Sequence, residues 1–299
     1  MRAVVVHETG SPDVLSYEDV DRPEAGEGEL LVRVHAVSVN PIDWKRRTGV
    51  AQGDLPVILG SDVSGTVELS RAEGFAEGDD VFGMAGSGGY AEYTTASAGA
   101  SAKKPEGLSH EQAAALPVAG MTAWQALFDR GGLDSGQTAL VAGAAGGVGH
   151  LAVQFAKRAG ARVIGTGSGR NRDFVLGLGA DEYADYTQQD ASEVVSDVDV
   201  AFDTVGGATT ESLVATVRQG GVVVTIANAP PAEAAQARGA RAELLVMSPN
   251  PEQLARIGEL VANGDVQVEL SEVLPLSEVG KAHELSESGH VRGKIVLTL

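Results

Sequence analysis

Val141-Ala-Gly-Ala-Ala-Gly-Gly-Val-Gly149 decides the fold of this chain. Ahead of it, Thr138 to Ala142 is a short apolar run of strand character. Behind it, Val148, Leu151, Ala152, Phe155 and Ala159 recur at helical spacing. A glycine loop that leaves a strand and opens a helix is the context that the dinucleotide fingerprint G-x-G-x-x-G requires. In that register Ala144 stands first, Gly146 second and Gly149 third, with Gly147 and Val148 between the last two. Gly146 lets backbone N–H groups approach a pyrophosphate, and Gly149 lets the helix pack close to the sheet. The helix N-terminus, with unpaired N–H groups and the positive end of the dipole, favours the anion. The alternative is a tight β–α turn that holds nothing.

Outward from the loop, strand and helix patterns alternate. Arg162 to Thr166, Val198 to Phe202, Gly221 to Ile226 and Ala242 to Val246 read as strands. Asp173 to Leu178, Thr209 to Val217 and Pro231 to Arg238 read as helices. Alternation over ~130 residues predicts a parallel, doubly wound α/β sheet of the Rossmann type. The end of its second strand selects the dinucleotide. An NAD fold places Asp or Glu there for the ribose 2′-hydroxyl. This chain has Gly165-Thr-Gly-Ser-Gly-Arg-Asn-Arg172, with the hydroxyl of Ser168 and the cations Arg170 and Arg172. Guanidinium groups pair with a 2′-phosphate through charge-assisted hydrogen bonds, so NADPH is expected over NADH. The alternative is a solvated helix start with incidental arginines. Val205 and Ala227 follow the fourth and fifth strands, at carboxyl ends where such sheets bind ligands, and join the candidate cofactor residues.

The flanks differ. Residues 1–117 read as short strands, Arg2 to Val6, Leu31 to Val39, Val63 to Leu69, Asp80 to Met84 and Ala91 to Thr95, separated by Gly, Pro and Asp. That pattern predicts a barrel-like β region. The tail 249–299 reads as helix (Glu252 to Val261), strand (Gln267 to Leu274), helix (Ser277 to Glu287) and strand (Lys294 to Leu297), and is expected to rejoin residues 1–117. The dinucleotide domain, 118–248, is then an insertion.

The formal charge is −19, from 22 Lys and Arg against 41 Asp and Glu, spread along all 299 residues. Such a surface repels phosphate backbones and anionic lipid, so no nucleic-acid or membrane partner is expected. No apolar run reaches the ~20 residues of a membrane span, and no signal peptide is evident. With no Cys, disulfides, thiolate zinc sites, iron–sulfur clusters and Cys nucleophiles are excluded. A cytoplasmic location is the expectation. No nucleophile elbow with Ser–His–Asp order is present, so hydrolase chemistry has no support.

Taken with Ser38-Val-Asn-Pro-Ile-Asp-Trp-Lys45, Leu59-Gly-Ser-Asp-Val-Ser-Gly65, Gly89-Tyr-Ala-Glu-Tyr93, Ala113 to Leu127, Phe202-Asp-Thr-Val-Gly-Gly207 and Gly293-Lys-Ile-Val296, the chain resembles the zinc-independent medium-chain dehydrogenases/reductases of the quinone oxidoreductase (zeta-crystallin-like) branch over essentially its whole length. The resemblance implies a GroES-like β-barrel catalytic domain beside the Rossmann domain, with the active site between them. It implies NADPH-dependent reduction of quinones or α,β-unsaturated carbonyls, and commonly a homodimer. Zinc-dependent relatives carry Cys where this chain has Asn40, and His-Glu where it has Ser61-Asp62, so no metal is expected. Thr122 and Tyr186 match family positions that contact the cofactor, Tyr186 near the 2′-phosphate. None of the six His forms an i, i+4 pair, and surface or strand positions are expected for them.

In that chemistry negative charge develops on the substrate oxygen, and a nearby cation or donor lowers the barrier. Lys45 is the first candidate, against the alternative of a surface lysine beside Arg46 and Arg47. Asn40 is the second, orienting nicotinamide or substrate, against a simple turn residue before Pro41. Asp43 is expected to cap the following helix, against the alternative of holding Lys45. No general acid stands out. Two further functions stay open: an enoyl reductase or tailoring enzyme of a biosynthetic pathway, and a non-catalytic NADPH-binding protein of crystallin type.

Overall fold

The alternation centred on Leu31 to Val39 belongs to an 11-residue strand, Glu29–Val39. In the computed structural model, which describes residues 1–299, Arg33 faces solvent while Val32 and Val34 are buried on either side of it. The chain divides into two units, Met1–Met121 with Pro249–Leu299, and Thr122–Ser248. The first unit begins with β1 (Arg2–Val6), β2 (Leu15–Asp19), β3 (Glu29–Val39), α1 (Pro41–Arg47), β4 (Val57–Ile58), β5 (Asp62–Ser70), β6 (Asp80–Ala85) and β7 (Tyr93–Lys103). Two short helices follow, α2 (His110–Ala114) and α3 (Pro117–Trp124). β3, β5, β6 and β7 pair in turn as antiparallel neighbours, and β7 pairs back on β3, with Glu29 opposite Ser97 and Arg33 opposite Tyr93. The four strands therefore form a closed ring, which removes their exposed edges. β7 runs on to Lys103, beyond the short strand expected near Thr95. Its continuation, Ala-Ser-Ala-Gly-Ala-Ser-Ala, is small residues whose alternation carries little hydrophobic contrast.

In the second unit, α3 continues as a π-helical turn, Gln125–Arg130. Then come β8 (Thr138–Ala142), α4 (Gly149–Arg158), β9 (Arg162–Gly167), α5 (Arg172–Gly177), β10 (Glu182–Asp185), α6 (Ala191–Val194), β11 (Val198–Asp203), α7 (Ala208–Thr216), β12 (Val217–Thr225), α8 (Ala232–Ala237) and β13 (Arg241–Leu244). The strands form one six-stranded parallel sheet in the order β10-β9-β8-β11-β12-β13. This is the doubly wound arrangement with its order reversal at β8, where open sheets bind ligands. Leu140, Ala201 and Val223 are buried in its core with Leu213 of α7. Burying each such Leu or Val side chain contributes roughly 1.5–3 kcal/mol. Gln125 closes the unit at its ends: its Nε2 donates to Ser248 O (2.7 Å) and its Oε1 accepts from Ser248 N–H (3.0 Å).

The chain then returns to the first unit as α9 (Pro251–Ala262), β14 (Leu270–Pro275), α10 (Val279–Glu287) and β15 (Lys294–Thr298). β15 lies antiparallel to β3, with Ile295 opposite Val39, and β14 runs parallel to β15. Leu274, Leu276, Val279, Ala282, Ile295 and Leu297 of this tail share a core with Val4, Val37, Val39 and Leu59. The histidines depart from expectation. His150 on α4 and His283 on α10 are fully buried in helices.

Candidate functional site

The candidate site residues fall into two groups, one in each unit. In the first, β3 ends at Asn40, which is the N-cap of α1. Asp43 at the third helical position closes a capping box: its Oδ2 accepts from Asn40 N–H (2.8 Å), and its Oδ1 accepts from Gly60 N–H (3.1 Å). Asp43 thus caps α1 from within its first turn, with Asn40 and not Asp43 at the N-cap position, and the Asn40 side chain turns inward. Asn40 Nδ2 donates to Asp62 Oδ2 (2.8 Å), and Asn40 Oδ1 accepts from Lys294 Nζ (2.6 Å). Ser38 Oγ also donates to Asp62 Oδ2 (2.9 Å), and Val118 N–H to Asp62 Oδ1 (2.9 Å). Lys294, 4% exposed, lies 3.9 Å from the Asp62 carboxylate, which is 0% exposed. Burial pushes the Asp62 carboxyl up and the Lys294 ammonium down, and each charge pulls the other back. The carboxamide of Asn40 thus bridges a buried cation and a buried anion.

Lys45 lies two residues along α1 from Asp43 and is half-buried, with Nζ 5.7 Å from the centroid of the Trp44 ring. The Trp44 indole N–H is buried without an acceptor in the chain. On the other side of α1, Arg47 is buried against α10. Its Nε donates to His283 Nδ1 (3.2 Å), and its terminal nitrogens reach Gly10 O and the Glu287 carboxylate. Arginine only donates, so His283 is the neutral tautomer that carries its proton on Nε2, 3.1 Å from Tyr90 Oη. Burial, then Arg47, push the His283 imidazole down to about 3. Burial raises Asp43 to about 6 against the two backbone donors that favour its charged form.

In the second unit the glycine loop spans β8 to α4. The positive φ of the tight turn falls on Gly143 (+70°), one residue ahead of the fingerprint position assigned to Ala144. Ala144 is buried instead, its N–H donating to Thr166 O (3.0 Å). A Cβ on Gly149 would stand 2.2 Å from Gly143 O, so only glycine lets the helix start there. The helical hydrogen bonds begin with His150 N–H to Gly146 O. The N–H groups of Gly147, Val148 and Gly149 therefore lie ahead of the ladder, at the start of a ten-residue helix whose N-cap Val148 makes no side-chain cap. This is a cradle suited to a pyrophosphate.

At the end of β9, Ser168 is half-buried at the start of a single turn that carries Arg170, and Arg172 begins α5. Both arginines are exposed. Arg172 is tethered to Tyr183 O (3.4 Å), and Tyr183 Oη donates to Ser168 O (2.8 Å). The structure adds a carboxylate that the sequence reading missed. Asp185, at the end of β10, turns toward Gly169, and a Cβ on that glycine would stand 2.6 Å from its Oδ2. Thr187 Oγ1 (2.7 Å) and Thr187 N–H (3.0 Å) hold Asp185 and keep its carboxyl below the ordinary range. Tyr186 follows, 63% exposed. Val205 after β11 is 56% exposed, and Ala227 after β12 is exposed as well. Thr122 is buried in α3. No three His, Cys, Asp or Glu side chains gather as a metal-ligand set.

The family described as alcohol dehydrogenase GroES-like domain matches residues 26–106, and the one described as zinc-binding dehydrogenase matches 178–297. A 2-methylene-furan-3-one reductase of Solanum lycopersicum is 35% identical over 99% of this chain and 79% of its own length. The chloroplastic NADPH-dependent alkenal/one oxidoreductase of Arabidopsis thaliana is 33% identical over the same shares. The solved quinone oxidoreductase of Coxiella burnetii superposes with a TM-score of 0.95 at 38% identity, covering 100% of this chain and 99% of that one.

Proposed function

Because the chain belongs to the medium-chain dehydrogenase/reductase family, in its quinone oxidoreductase branch, we propose that it is an NADPH-dependent reductase of quinones or α,β-unsaturated carbonyl compounds that works without zinc. The glycine loop carries this reading. Its residues fit a dinucleotide: Gly149 admits the helix start, and the N–H groups of 147–149 are disposed for a pyrophosphate. Ser168, Arg170, Arg172 and Tyr186 would receive the 2′-phosphate. Thr122, Val205 and Ala227 would line the rest of the cofactor. When bound, NADPH supplies the hydride from its nicotinamide. Lys45 would stabilise the charge that develops on the substrate oxygen.

The donor chemistry around Asn40 supports the zinc-free reading. A carboxamide, a hydroxyl and one carboxylate are a poor zinc set, and that carboxylate already faces Lys294. The names of the furanone reductase and the alkenal/one oxidoreductase support the enone class, and the structural likeness to a quinone oxidoreductase supports quinones.

Asp185 favours a second reading, in which NADH is accepted as well. Its carboxylate, beside the Gly169 turn, would accept a hydrogen bond from a ribose 2′-hydroxyl and oppose a phosphate there. Titration of wild type and Arg170→Ala with NADPH and NADH, read by nucleotide fluorescence, separates the two. We expect NADPH to bind roughly tenfold tighter, a difference of ~1.4 kcal/mol, and Arg170→Ala to abolish the gap. Equal affinities in wild type would favour the Asp185 reading. Binding of neither nucleotide would overturn both.

A further inference from the structure

The carboxyl end of the parallel sheet holds a buried carboxylate that the proposed chemistry does not use. Asp203 is the last residue of β11 and is fully buried. Its Oδ1 accepts from the N–H groups of Val205 (2.9 Å) and Gly206 (3.0 Å). Its Oδ2 accepts from Thr210 Oγ1 on α7 and from Thr225 Oγ1 (3.0 Å) at the end of β12. Two backbone and two hydroxyl donors thus converge on one side chain from three elements.

The neighbouring residues extend the node. Thr225 Oγ1 accepts from Ala227 N–H (3.2 Å), so the turn after β12 is fixed through the same hydroxyl that Asp203 holds. Asn228 Oδ1 accepts from Gly207 N–H (2.9 Å). Gly206 has a φ of +89°, and a Cβ on it would stand 2.6 Å from Ala227 Cβ, so the two turns touch at this point. Thr204 Oγ1 donates to Ala142 O (2.8 Å), at the end of β8, where Gly143 leaves room for it. Three loops, after β8, β11 and β12, are tied together at Asp203 and Thr204. Val205 and Ala227 project from two of them and are exposed.

We infer that Asp203 is a positioning residue for the nucleotide site: it touches no ligand, and it sets the loops after β11 and β12 at the spacing a bound dinucleotide needs. The inference rests on the proposed function. A buried carboxylate with four donors is rigid, because losing it orphans two N–H groups and two hydroxyls at once. The loops would then rest on glycines, which impose no geometry of their own.

The test is a binding isotherm for NADPH on the full chain, with kcat and cofactor KM, for wild type, Asp203→Ala, Asp203→Asn and Thr225→Val. The carboxamide of Asn can keep an oxygen toward Val205 and Gly206 and offer N–H groups to hydroxyls that can reverse. We expect Asp203→Ala to raise Kd and cofactor KM roughly tenfold or more at a temperature where it is folded, with kcat at saturating cofactor less affected. Asp203→Asn should stay within about threefold of wild type, and Thr225→Val should lie between. If Asp203→Ala fails to fold, Thr225→Val and Asp203→Asn decide. Thr225→Val with wild-type Kd overturns the inference. A folded Asp203→Ala with lowered Tm and unchanged Kd also overturns it, leaving a purely structural carboxylate. If wild type binds no dinucleotide, the proposed function fails first, and this inference with it.

Discussion

Asn40 ends β3 with both atoms of its carboxamide engaged, the oxygen by Lys294 and the nitrogen by Asp62. A residue so held is well placed to present its second N–H in a fixed direction and poorly placed to swing. Lys45, by contrast, is half-buried, with its ammonium near an indole face and no carboxylate partner among its contacts. The pair therefore divides: Asn40 would orient, and Lys45 would supply charge. We expect Lys45→Ala to lower kcat on enones by ~10-fold or more, as loss of a transition-state cation does, while NADPH Kd changes little. Unchanged kcat would remove Lys45 from the mechanism. At this scale the sequence exposed residue types and hid partners. Lys294 sits in the quoted Gly293-Lys-Ile-Val296, but only folding brings it to Asn40, 254 positions away.

Elements show the same division. The capping role of Asp43 on α1 was legible, because its partner Asn40 is only three residues away and the interaction is local, although Asn40 itself was not read as the N-cap. α2 was not. His110 on α2 stands against His35 of β3, ring centroids 4.4 Å apart, and its Nδ1 is 2.8 Å from Ser64 Oγ. Burial, then the neighbouring His35 ring, push His110 down to about 4, against the opposite pull of Asp80 and Glu111. His35 is lowered as well, by burial and Arg33. A base whose pKa is depressed on folding is neutral in the native state, while the unfolded chain takes up its proton near the ordinary value of ~6.5. Its stabilisation is complete above ~6.5 and is lost as pH falls toward about 4. Asp43, raised to about 6, acts in the opposite sense, since its protonated form is favoured on folding. Comparison with a variant isolates the histidine. The Tm deficit of His110→Gln relative to wild type should be largest near pH 7 and shrink on acidification toward pH ~4.5. A deficit that stays constant with pH would mean that His110 is not held neutral.

For the whole molecule, the charge of −19 and the lack of cysteine bear on handling and on the metal question. No helix is long and apolar enough to cross a membrane. If the reductase works without zinc, turnover on a quinone should survive prolonged incubation with EDTA and 1,10-phenanthroline, and elemental analysis should find far less than one zinc per chain. Loss of turnover on chelation, restored by added zinc, would sink that part of the proposal. The dinucleotide unit was the most legible part of the chain. Its central strands β8 and β12 hold uninterrupted apolar stretches between helical periods, Ala139 to Ala142 and Val222 to Val224, and its glycine loop is a contiguous motif. β2, β4 and β10 were not found: β4 is only the two residues Val57–Ile58, and β2 and β10, of five and four residues, end in charged side chains, so none gives enough alternations to register.

The sequence by itself determined what local chemistry can determine: the α/β and barrel-like classes, the strand–loop–helix cradle at 141–149, the arginines at 170 and 172, the cap of α1, and the absence of thiol chemistry. These follow from residue type and spacing within a few positions, where one backbone conformation dominates. Only the tertiary structure decided which buried charges meet. Lys294 with Asn40 and Asp62, Arg47 with His283, and Asp203 with Thr210 and Thr225 join residues from different elements. A charge enters the interior only where partners replace its lost hydration. Where those partners stand is a property of strand order and crossover, and residue spacing along the chain does not encode it.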